Sequence, residues 1–95
     1  MFKFDKVDYN KITEDIAAAV LAVEEPKNVR DRKKGSIQIN LEGRCEKVIS
    51  AIVAAHVAST DVRRGVYRMD IQGRDPAAIA ANLRAAGYVA VCVEF

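Results

Sequence analysis

Apolar and polar side chains alternate most cleanly over residues 36–41, with Ile37, Ile39 and Leu41 on one face and Ser36, Gln38 and Asn40 on the other. That period of two predicts a half-buried strand. Residues 66–71 repeat the pattern, with Tyr67, Met69 and Ile71 inward and Arg68 and Asp70 outward. A third strand is expected over residues 89–95, with Val89, Val91, Val93 and Phe95 on the apolar face and Tyr88, Ala90, Cys92 and Glu94 on the other.

Between these strands the period changes to that of a helix. Val48, Ile49, Ile52, Val53 and Val57 form one stripe over residues 44–58, and Ile79 and Leu83 form a thinner one over residues 76–86. The second helix is punctuated at both ends. Asp75 suits the N-cap, Pro76 the first turn, and Gly87 the left-handed position after the last turn. An N-terminal helix over about residues 8–25 uses Ile12, Ile16, Val20 and Val23 and stops before Pro26, with a short extra strand possible at residues 1–5.

A shift of thirty residues lays residues 39–44 over residues 69–74, each a strand running into a Gly-Arg corner and then a helix. Two such units and a final strand give an N-terminal helix followed by β-α-β-α-β. Crossovers of that kind imply parallel strands. Because each strand keeps a polar face, the expected fold is a two-layer α/β sandwich with its helices on one face of a small sheet. Ninety-five residues make a single domain, 1–95. Residues 37–53 resemble the middle strand and helix of Alba-type nucleic-acid-binding domains and of the C-terminal domain of bacterial translation initiation factor three. Where those patterns continue into a hairpin, this chain has the capped helix of residues 76–86, so no family is assigned.

Composition narrows the function classes. The longest apolar run, residues 16–23, is far short of the ~20 residues of a membrane span. No basic leader precedes an apolar segment, so a cytoplasmic protein is expected. Cys45 and Cys92 form no CxxC pattern, which argues against a disulfide framework or zinc. No cofactor motif is present. Cys45 and the single His56 lie eleven positions apart on one expected helix, about 16 Å along its axis, too far for a nucleophile and base. A non-enzymatic protein is therefore expected.

Charge gives the positive lead. Residues 26–74 carry eleven basic against five acidic side chains, a net of +6, while residues 1–25 carry a net of −3. Under the parallel topology, Arg30, Arg32, Lys33 and Lys34 before the first strand and Arg63 and Arg64 before the second gather at one sheet edge. That patch suits the phosphate backbone of a nucleic acid. Arg44 and Arg74, at the two corners, would share a smaller anion site at the opposite edge. The second expectation is a small accessory protein that dimerises, or binds or blocks a partner protein, through the polar sheet face. Gln38, Asn40, Arg68 and Tyr88 mark that face.

Overall fold

The computed structural model describes the backbone of residues 3–41 and 53–95, and the side chains of residues 11–41 and 53–95. Its elements are α1 (Lys3–Leu21), a short 3-10 turn (Val29–Asp31), β1 (Lys33–Asn40), β2 (Ser59–Arg63), β3 (Val66–Gly73), α2 (Pro76–Ala85) and β4 (Val89–Glu94). The expected two-layer α/β architecture is present, with helices packed against a four-stranded sheet. Residues 3–5, expected as a strand, are helical.

The strand order is β2-β3-β1-β4, and every neighbouring pair is antiparallel. This corrects the expected parallel sheet. The reason is β2, a strand the periodicity did not mark. It meets β3 through the two-residue turn Arg64-Gly65, where both residues have positive φ, 50° and 77°. Such a turn matches the twist of paired strands and reverses the chain tightly. β3 therefore runs against β1, and β4 runs with β3 but lies beyond β1. β3, α2 and β4 thus form a split crossover unit with β1 between its strands. Residues 53 and 54 are helical and residues 55–56 form a turn, so the helix expected to reach residue 58 stops four residues earlier. The rest of that helix, with Gly43, Arg44, Cys45, Val48, Ile49 and Ile52, lies outside the described residues.

The core forms where the apolar stripes meet. Ile16 and Val20 of α1, Ile37 and Ile39 of β1, Tyr67 and Met69 of β3, and Ile79 and Leu83 of α2 are fully buried, with Leu41 and Val53. Gly35 permits the closest approach in this layer. A Cβ there would stand 2.7 Å from Pro76 Cγ and 2.8 Å from the Val93 carbonyl oxygen.

β4 takes the register opposite to the one expected. Ala90 is buried and Cys92 half-buried, whereas Val89, Val91 and Val93 are 57, 58 and 55% exposed and Phe95 is 77% exposed. Because side chains alternate, a shift of one residue moves a whole set to the other face. The end of α2 fixes the choice. Tyr88 N–H donates to Leu83 O and Gly87 N–H to Arg84 O, both at 3.0 Å, with Gly87 at φ 98°. This is the Schellman closure of a helix end. Tyr88 is thereby locked toward the helices, where its hydroxyl donates to Asp15 Oδ2 at 2.6 Å. Alternation then carries Ala90 and Cys92 to the same side.

Candidate interaction face

Among the described residues, the helices cover one face of the sheet and leave the other open. Cross-strand pairing sets three rows on that open face. One runs Ser59, Asp70, Ser36, Val93; the next Asp61, Arg68, Gln38, Val91; the last Arg63, Val66, Asn40, Val89. Apart from Val66, polar residues occupy the β2 half, and a line of valines occupies the β4 half. Phe95 extends the valine line, since its N–H donates to Lys34 O at 3.0 Å.

The polar half is internally bonded. Ser59 Oγ donates to Asp70 Oδ2 at 2.8 Å, Arg68 Nη2 lies 3.3 Å from Asp70 Oδ1, and Arg68 Nε donates to Ser36 Oγ at 3.1 Å. The Ser59 hydrogen bond, helped by the charge and hydrogen bonds of Arg68 and opposed by partial burial, holds the Asp70 carboxyl below its ordinary pKa. Arg63 pairs with Asp61 at 3.2 Å.

The antiparallel sheet separates the basic residues that parallel strands would have gathered. Arg30, Arg32, Lys33 and Lys34 stand where β1 begins, beside Gly73. Arg63 and Arg64 stand at the other end of β1, where Leu41 N–H donates to Gly65 O at 2.7 Å. β1 has eight residues, so the two groups are roughly 23 Å apart, well beyond the ~8–10 Å reach of a screened charge. Lys33 also pairs with Asp75, whose other oxygen caps α2 by accepting from Ala77 N–H at 3.1 Å.

Arg74 lies at the same end as Lys33, not the opposite one, and serves as a brace. Its Nε donates to Val23 O at 2.9 Å, and Nη1 reaches Glu25 Oε1 at 3.2 Å and His56 O at 3.3 Å. It ties the segment after α1 to the chain before β2, and its guanidinium is already engaged with a carboxylate. Arg44, its expected partner, is outside the described residues. An open cleft of about 300 Å³ beside this brace is lined by Glu25, Arg32, His56 and Gln72 among others.

Of the residues expected to mark the polar face, Gln38, Asn40 and Arg68 share it. Tyr88 does not. Engaged with Asp15 among the helices, it offers no platform for a stacked base. Cys92 also faces the helical layer, correcting its expected position, and burial first, then the Glu94 charge, pushes its thiol pKa up. His56 precedes β2 at the far edge. Three strand spacings, about 14 Å, keep the thiol from the imidazole.

Among the described residues no cluster of His, Cys, Asp or Glu could hold a metal, and no helix is long and apolar enough to cross a membrane. Comparisons with protein families, curated proteins and solved structures find no match.

The valine stripe is what sequence reasoning missed. Hydrophobicity alone turns Val89, Val91 and Val93 inward. The signal that opposed it was Gly87, which places Tyr88 directly on the closed helix end.

Proposed function

We propose that this protein is a non-enzymatic interaction module that binds a protein surface through the open face of its sheet. The line of Val89, Val91, Val93 and Phe95 is the apolar centre of contact, and Gln38, Asn40 and Arg68 are its polar margin. One observation carries the reading. β4 leaves its larger apolar set in water and buries an alanine and part of a cysteine instead. Burying a valine is worth about 1.5 kcal/mol or more, so a contiguous stripe of this kind gains a great deal when a partner covers it. The division of the cations between two ends of the sheet, and the turning of Tyr88 away from the open face, favour this reading over contact with a phosphate backbone.

The protein immobilised on a resin and exposed to extract of its source is expected to retain a protein partner. Retention should survive a rise in salt from about 50 to about 200 mM and be lost with Val91→Lys. Retained nucleic acid that is released steeply by that salt rise, and lost with the Lys33→Glu, Lys34→Glu double variant but not with Val91→Lys, would replace this reading with phosphate contact at the basic end.

A further inference from the structure

We propose that the β4 edge pairs with the β4 edge of a second copy of this chain, antiparallel about a two-fold axis at Cys92. This rests on the reading of the open face as an interaction surface and names its partner.

The backbone sets which residues are available. Phe95 N–H bonds to Lys34, and alternate residues of an antiparallel strand bond to the same neighbour. Val89, Val91 and Val93 therefore direct their backbone groups at β1, and Ala90, Cys92 and Glu94 direct theirs at the open edge. The Ala90 carbonyl confirms the assignment, since Arg84 Nε reaches it from outside the sheet at 3.0 Å.

The choice of a second copy follows from the matching of side chains. With Cys92 opposite Cys92 of the partner copy, Val91 faces Val93, Val93 faces Val91, and Val89 and Phe95 face each other at both ends. Every exposed apolar residue of β4 then meets another. An axis one residue earlier sets Phe95 against Gly87 and leaves it without an apolar partner.

Charge gives an independent match. Arg84 stands against the Ala90 carbonyl, and Glu94 follows Cys92 on the same side of the strand. They are exposed, and neither is in an ion pair among the described residues. The same axis places Glu94 of one copy opposite Ala90 of the other, so Arg84 yields the Ala90 carbonyl to the incoming Glu94 N–H and turns to the Glu94 carboxylate beside it. Two Arg84–Glu94 pairs form, one on each side of the axis, as an interface of one surface with itself requires. The two sheets then continue as one of eight strands.

Mass by light scattering over a concentration series tests association, and exchange of labelled with unlabelled protein permits detection of contacts between copies by NMR. Expected are a concentration-dependent dimer and contacts from Val91 methyls of one copy to Val93 methyls of the other. Arg84→Glu and Glu94→Arg should each weaken the dimer about five- to thirtyfold, because each change places like charges at two positions. The double variant Arg84→Glu, Glu94→Arg should restore it, which a change in monomer stability would not do. A monomer at every concentration would overturn the proposal. If that monomer still retained a partner protein in a Val91-dependent way, the interaction reading would stand and only self-pairing would fail. A dimer indifferent to both charge reversals and to Val91→Lys would overturn self-pairing at this edge and count against the open face as well.

Discussion

The two edge strands of the sheet are close in length and opposite in chemistry. β2 has five residues, with Asp61 and Arg63 paired on its open face and Ser59 tied to Asp70 of the next strand. β4 has six residues, no charge before Glu94, and three valines in water. An edge strand exposes unpaired backbone groups and invites pairing unless charge, proline or short length discourages it. β2 carries that protection. On β4 it is reduced to Arg84 at one carbonyl. The difference confines the proposed association to one edge of this sheet, since the charges that discourage pairing at β2 are largely missing from β4.

β1 is the seam between these halves, and Ile39 faces Tyr67 on one side and Ala90 on the other. It is fully buried, so Ile39→Ala should cost about 2–5 kcal/mol of a total of roughly 5–15, and both halves should melt in one transition. Urea unfolding followed by circular dichroism measures this. A loss under about 1 kcal/mol, or two separate transitions, would show that β1 does not join the halves. Gly35→Ala sharpens the contrast by acting on one half. The added Cβ would crowd Pro76 and the Val93 carbonyl, at a cost of about 1–3 kcal/mol. Hydrogen exchange should show β4 amides losing more protection than those of β2 and β3. Equal loss across the sheet would mean that β4 is not separately sensitive.

Local signals were legible in the sequence, and strand direction was not. The inward sets of β1 and β3, Ile16 and Val20 of α1 and both ends of α2 follow from periodicity and cap chemistry and are present. The helix expected over residues 8–25 instead runs over Lys3–Leu21 and leaves Val23 beyond its end. Direction hinged on residues 59–65, where Thr60 and Val62 alone supply alternation and the turn is Arg-Gly. Arginine seldom adopts positive φ, so nothing announced a hairpin. Once β2 was missed, the sheet read as parallel, and the basic residues were grouped at one end. The register of β4 was hidden for a different reason. It is set by a helix closure and the Tyr88–Asp15 bond across 73 positions of chain, not by the hydrophobicity of the strand itself.

The smallest effect expected lies in the β2 half and depends on pH. Asp70 has its carboxyl pKa held down in the folded protein, chiefly by Ser59 and with help from Arg68, so folding favours the ionised form. A depressed carboxylate adds stability that is present above the unfolded pKa of about 3.9 and is lost as pH falls through the lower folded value. Its side chain is 39% exposed, and water screens the interaction, so the contribution is small. Asp70→Asn should therefore be slightly less stable than the parent near neutral pH, and the two should converge as the pH falls through and below the lowered folded value. Ser59→Ala should show a weaker form of the same convergence, because it removes the largest cause. Urea midpoints across that range measure both. A difference that stays constant with pH would show that the Ser59–Asp70–Arg68 chain orders this half without binding its carboxylate, and that charge is not what distinguishes the β2 edge from the β4 edge.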